Sequence, residues 1–130
     1  MNFFDAELVK KDGKYAVEIG GLTIELSEDK QKNLNRNNVA PQFITLGVRP
    51  EHISLDDTGI SAKVDVHELM GSSIHLHVTS LDQDVVMVIS TMNMTGAEVA
   101  ALSMGAQVTF NFPGNCCHVF NKETGINLEA

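Results

Sequence analysis

Tryptophan is absent from this chain, tyrosine occurs once, at position 15, and only Lys63 and Lys122 are basic among residues 61–130, against seven acidic residues. A protein that holds single-stranded nucleic acid stacks bases on aromatic side chains along a positively charged groove. Platforms and charge are both lacking, and a net charge of −8 disfavours phosphate binding in general. Cysteine is almost as scarce. Cys116 and Cys117 are adjacent, so in a strand their side chains point to opposite faces and do not pair. Reduced thiols suit a cytosolic protein. They are either reactive or packing groups. Only His118 supplies a basic neighbour, which fits inert packing better.

Long apolar runs are missing too. The longest, Val85-Val86-Met87-Val88-Ile89, is a strand, far short of the ~20 residues a membrane helix needs, so any membrane association has to come through a partner protein. The segment Met1–Asp5 carries an early acid and no extended apolar core, unlike a signal peptide. A phosphate-binding loop needs Gly-x4-Gly-Lys-Ser/Thr. The one Gly-Lys pair, Gly13-Lys14, precedes Tyr15, and position 8 is leucine. Nucleotide hydrolysis by this chain is therefore excluded. No serine sits in a Gly-x-Ser-x-Gly elbow, and the acidic neighbours Glu28-Asp29 and Asp56-Asp57 read as solvated caps and turns.

What is present is a succession of short strands with turn punctuation. Phe3 to Val9, Tyr15 to Ile19 and Leu22 to Leu26 are joined at Asp12-Gly13 and Gly20-Gly21, a three-stranded meander. Ser27 then opens a polar helix or ordered loop with Glu28 and Asp29 in its first turn, Leu34 as its one strong apolar residue, and Asn37-Asn38 at its end. Phe43 to Val48 is a strand that Pro50 stops. Lys63 to Leu69 alternates, with Val64 and Val66 on one face and Lys63, Asp65 and His67 on the other. After a turn at Met70–Ser73, Ile74, Leu76 and Val78 continue the apolar face, with His75, His77 and Thr79 opposite. Val85 to Ile89 reads as buried on both faces. Thr95 to Leu102 opens as a short helix, Gln107 to Phe112 and Cys116 to Phe120 are strands, and Gly125 closes a tight turn. Phe43, Phe110, Phe112 and Phe120 read as core.

At 130 residues this is one domain, or two half-domains sharing a core. About nine short strands with one or two short helices make an all-β chain. The pattern predicts a small barrel over residues 44–120, five-stranded and Greek-key, with a helix between its third and fourth strands and the N-terminal β-meander before it. Closure would also remove exposed edges. The standard zinc spacings are absent. If the Met70–Ser73 hairpin is tight, His67, His75 and His77 share one face and three imidazoles cluster, either as an open zinc site or as a solvated polar face; the polar face is the expected outcome.

Four stretches carry a resemblance: Met1-Asn2-Phe3-Phe4; Leu46-Gly47-Val48-Arg49-Pro50-Glu51-His52; Val64 to Val78 with Leu69-Met70-Gly71-Ser72 at its turn; and Gly105 to Gly125, ending His118-Val119-Phe120-Asn121-Lys122-Glu123-Thr124-Gly125. Together they resemble the C-terminal regulatory region of the ATP-binding subunits of carbohydrate ABC importers of the maltose and multiple-sugar type. That family's closing motif has Asp where Asn121 stands here. The resemblance implies a transport-associated OB-type, MOP-like barrel, with an N-terminal part over 1–45 and the barrel over 46–128. It implies a nucleotide-binding domain that is absent from this chain. Arg49, Pro50, Glu51, His52, Gly71, His118, Phe120 and Gly125 are the signature residues that transfer. Arg49 and Glu51 either bridge within the turn or face a neighbour.

The resemblance further implies no catalysis and no cofactor in this chain, with ATP and magnesium in the parent subunit. The partners it implies are the subunit's own nucleotide-binding domain, a second copy of this region and, through the parent, the permease. The implied place is cytoplasmic, peripheral to the inner face of the cell membrane. A competing possibility is a small-ligand module, since related barrels bind oxyanions such as molybdate; the scarcity of Lys and Arg after residue 60 weighs against it.

Overall fold

A computed structural model describes residues 1–130, which form two compact units, 1–48 with 112–130, and 49–111. The chain is mostly β-strand, in two sheets with two α-helices.

The first unit is a five-stranded antiparallel sheet in the order β3-β2-β1-β4-β9. β1 (Asn2–Lys11) and β2 (Lys14–Ile19) join through Asp12-Gly13, both at positive φ, as a two-residue hairpin loop requires. Gly20-Gly21 connects β2 to β3 (Leu22–Glu25) in the same way. β4 (Gln42–Val48) pairs with β1 along its whole length, from Asn2↔Val48 to Leu8↔Gln42, and β9 (His118–Asn121) pairs with β4. Strand alternation sends Phe4, Leu8, Ile44, Leu46, Val48 and Val119 inward, where Phe4 and Phe112 stack 6.2 Å apart.

α1 (Glu28–Arg36) is polar apart from Leu34, which is fully buried. A single apolar residue is a weak anchor. The helix is fastened instead by Gln31, whose carboxamide accepts from the Tyr15 amide and donates to the Tyr15 carbonyl, both at 2.7 Å. It is also fastened by Lys30, paired with Glu129 at 2.7 Å, and by Asn37, which donates to the carbonyls of Leu128 and Ala130.

The second unit is a four-stranded antiparallel sheet in the order β7-β6-β5-β8. β5 (Ser54–Met70), β6 (Ser73–Ser80) and β7 (Gln83–Ser90) form a meander. The helix α2 (Gly96–Ala101) precedes β8 (Gln107–Asn111); it follows the third strand of this unit but the fourth strand of the 44–120 span over which the pattern predicts the barrel. Thr95 caps α2 in a capping box: its hydroxyl accepts from the Glu98 amide while the Glu98 carboxylate accepts from the Thr95 amide.

Several local expectations are corrected. β5 begins at Ser54 rather than Lys63, because β8 pairs with it twice: Phe110 faces Leu55 and then Ile60, and Asp56–Gly59 loops out between. Gly59 permits this, since a Cβ there would collide with the Phe110 carbonyl oxygen. A bulge at Asp65 shifts the β5–β6 register, so Val64 is buried while Val66 is 43% exposed, on the opposite face. β7 is not buried on both faces; Val85 and Met87 face the core, and Val86 and Val88 are half-buried. Cys116 lies in a 3-10 turn, Gly114–Cys116, before β9 begins at His118. β4 and β9, which the sequence pattern groups with the strands between them, hydrogen-bond in the first sheet.

Candidate interaction surface

The Arg-Pro-Glu-His segment turns sharply after β4. Pro50 occupies the first position of a 3-10 turn, Pro50–His52, a place where its missing N–H costs nothing. The Arg49 carbonyl accepts from the His52 amide at 3.0 Å, and Ile53 drops into the core. Arg49 and Glu51 are both exposed and make no ion pair, so the alternative of an internal bridge is not realised. His52 is half-buried, and its Nδ1 is buried without a hydrogen-bond partner.

Gly71 sits in the loop of the β5–β6 hairpin at φ 62°, with Met70 facing Ser73 across it. Leu69 (63%) and Met70 (52%) beside it are exposed.

His118, Phe120 and Gly125 belong to the first unit. Phe120 faces Thr45 and meets Phe3 edge-on at 6.2 Å. The turn after it is organised by Asn121, whose Oδ1 accepts from the Glu123 and Thr124 amides at 2.9 Å each, while Gly125 adopts positive φ. A carboxamide oxygen performs the acceptor role that an aspartate would take, so the departure from the family motif costs the turn nothing.

The three histidines do not converge. The bulge at Asp65 places His67 opposite Leu76, on the core-facing side, where its Nδ1 lies 2.9 Å from the Leu102 carbonyl. His75 and His77 point to the other face, opposite Glu68 and Val66, and His77 Nε2 lies 3.2 Å from the Glu68 carboxylate. No group of three His, Cys, Asp or Glu side chains is arranged to hold a metal. Cys117 is fully buried, and desolvation pushes its thiol up to about 12, with Lys30 opposing and Cys116 and Glu129 adding to the rise.

The surface that sequence reasoning missed is the outer face of the first sheet. Phe43 is 67% exposed and Phe3 54%, and Phe120 covers Gly47 beside them. Gly47 admits this cover because its missing Cβ would stand 2.9 Å from the Phe120 ring. The alternation Phe43-Ile44-Thr45-Leu46-Gly47-Val48 carried the signal: with Ile44, Leu46 and Val48 inward, Phe43 has to face out. On the same face, Asp5, Glu7 and Glu18 border a concavity of about 530 Å³ that Phe43, Leu22 and Lys122 also line.

The MalK OB fold domain family matches residues 1–53, and the TOBE domain family matches residues 46–120. Among similar proteins, the oligosaccharides import ATP-binding protein MsmX of Bacillus subtilis is 29% identical, over 98% of this chain and 34% of its own length. The putative ABC transporter ATP-binding protein YcjV of Escherichia coli is 32% identical, over 98% of this chain and 33% of its own. The sn-glycerol-3-phosphate import ATP-binding protein UgpC of Salmonella typhimurium is 27% identical, over 96% and 32%. The chain thus spans about a third of the length of the relatives it matches. Among solved structures, the cytoplasmic molybdate-binding protein ModG superposes with a TM-score of 0.67 over 91% of this chain and 94% of that one, at 13% identity. That likeness establishes a shared fold.

Proposed function

This chain belongs to the TOBE domain family, with a MalK OB fold domain ahead of the TOBE segment, and from that premise we propose that it is the C-terminal regulatory and dimerisation region of the ATP-binding subunit of a bacterial sugar importer. The observation that carries this reading is the pair of domain matches running from residue 1 to 120 in a chain without a phosphate-binding loop. In relatives about three times as long there is room for the ATPase that the chain lacks. ATP and magnesium belong to that part, and so does the contact with the permease.

The chain's own work is binding. It contacts its nucleotide-binding domain and a second copy of itself, and it sits at the inner face of the membrane through the transporter. No helix is long and apolar enough to cross a membrane. Regulatory contact suits the exposed Phe3 and Phe43 on the first unit and, separately, the exposed Leu69 and Met70 on the second, more large apolar side chains than simple solubility favours. The signature turn holds Arg49 and Glu51 unpaired for the same use.

The oxyanion alternative finds little to bind with. Residues 49–111 contain Arg49 and Lys63 as their only Lys or Arg, and a concavity in that unit is lined by Asp56 and Asp57. The test is calorimetric titration of the folded chain with magnesium-ATP, beside a thermal-shift series with molybdate, sulfate and phosphosugars. Neither heat of ATP binding nor a raised melting temperature is expected. Magnesium-dependent phosphate release that copurifies with the folded chain overturns the non-catalytic reading, and a melting shift with molybdate replaces it with the oxyanion one.

A further inference from the structure

The outer face of the first sheet has a specific charge pattern. Read across the strands, Thr23 faces Glu18, Glu18 faces Glu7, and Glu7 faces Phe43. Asp5 lies two residues before Glu7 on β1 and therefore on the same face. Two like charges directly opposite on an antiparallel pair destabilise the sheet. Lysines offset part of this: Lys11 reaches Glu18 at 2.9 Å and Lys122 reaches Asp5 at 3.5 Å. Glu7 has no cation. It stands between an opposed carboxylate and the exposed ring of Phe43, at the concavity of about 530 Å³ that Gly20 and Gly21 also line.

We propose that this face is a docking site for a partner protein's segment that presents one arginine beside an apolar side chain. The guanidinium lies between Glu7 and Glu18, and its plane and stem rest against Phe43. Three features of the site select this occupant. A planar cation with several donors bridges two carboxylates, which a compact ammonium does less well. An exposed aromatic ring adds cation–π attraction. Lys11 already pairs with Glu18, so the arriving guanidinium supplies the cation that Glu7 lacks. A second copy is a poor occupant, because a two-fold contact sets the same patch against itself and would bring Asp5, Glu7 and Glu18 against their own images. The inference rests on the reading of the chain as an interaction module. It assigns this face to a partner other than a second copy, so self-association and docking fail independently.

The test is an amide chemical-shift titration of the chain with a hexapeptide carrying one arginine next to one leucine, with a glutamate-for-arginine peptide as control. The expected result is saturable shifts confined to the first sheet around Glu7, Glu18 and Phe43, weakened as salt rises, and absent with the control peptide. Glu7→Lys should reduce affinity by about tenfold, from loss of one exposed ion pair and gain of a repulsion. The same variant should raise the melting temperature of the free chain, since it replaces a like-charge cross-strand pair with an opposite-charge one. Glu68→Lys, in the other unit, should leave binding unchanged. Equal binding by Glu7→Lys, equal loss in Glu68→Lys, shifts spread over both units, or equal competition by spermidine or magnesium would each overturn the proposal. Loss of docking with self-association intact refutes this inference alone.

Discussion

The Lys30–Glu129 pair is the sharpest point at which to test the packing of the first unit. The two side chains are 12% and 8% exposed, and Nζ lies 2.7 Å from Oε1. Truncating one partner of a buried pair strands the other charge and costs about 3–5 kcal/mol. Lys30 keeps a little solvent, so Glu129→Leu should cost about 2–4 kcal/mol. The companion double variant, Lys30→Met with Glu129→Leu, removes both charges and leaves apolar volume. It should recover most of the loss, because a buried pair is close to neutral against an apolar replacement. Intrinsic fluorescence in urea is well suited to the measurement. With no tryptophan, the signal is that of Tyr15, which is buried in this unit and held by Gln31 of the same helix that carries Lys30. At a slope of about 1–2 kcal/mol per molar urea, the single variant should shift the midpoint down by about 1–4 M. A single variant within about 0.5 kcal/mol of the parent, or a double variant as damaged as the single, would refute the reasoning.

Other consequences can be checked directly. Gly59→Ala should destabilise the second unit by about 2–3 kcal/mol in chemical denaturation, because its Cβ collides with the Phe110 backbone, which has no flexible end to yield. Arg49→Ala should leave stability within about 0.5 kcal/mol in the same assay, since the side chain is exposed and unpaired. Iodoacetamide should label Cys116 in the native chain and reach Cys117 only on unfolding, read by mass spectrometry of the peptides. The Cys117 thiol, near 9 when unfolded, is raised to about 12 in the fold, so from pH 9 upward the unfolded state releases a proton the native state retains. Stability should therefore fall between pH 9 and pH 12, and Cys117→Ala should lack that part of the decline.

Most of the strands were legible because they rest on local chemistry. Asp12-Gly13 and Gly20-Gly21 impose two-residue hairpins wherever they sit between alternating segments, and Thr95 with Glu98 announces a helix start. What escaped depends on pairing between distant residues. Nothing near Asp65 marks it as a bulge. The extra residue is defined by Val78 and His77 on another strand, and it alone separates His67 from His75 and His77. The double pairing of Phe110 with Leu55 and Ile60 likewise lies outside any local window, and it hid the first half of β5. Phe43 was misassigned for a different reason. An aromatic residue in a strand reads as core until the inward set is known, and here the inward positions were Ile44, Leu46 and Val48. The signature turn was found as a motif, but whether Arg49 and Glu51 bridge each other was decided by geometry.

Sedimentation equilibrium across protein concentration and salt is the most direct measurement of the central claim, that this chain is a self-associating module serving a larger ATPase. Tethered to that ATPase, a weak contact is sufficient, because the tether supplies a high effective concentration. Alone, the chain should form a symmetric dimer at high concentration and be mostly monomeric when dilute. Its net charge of −8 opposes pairing, so added salt should strengthen association modestly by screening. A chain that stays strictly monomeric at the highest concentration reachable, at every salt concentration, would contradict the account and leave only contacts with other partners.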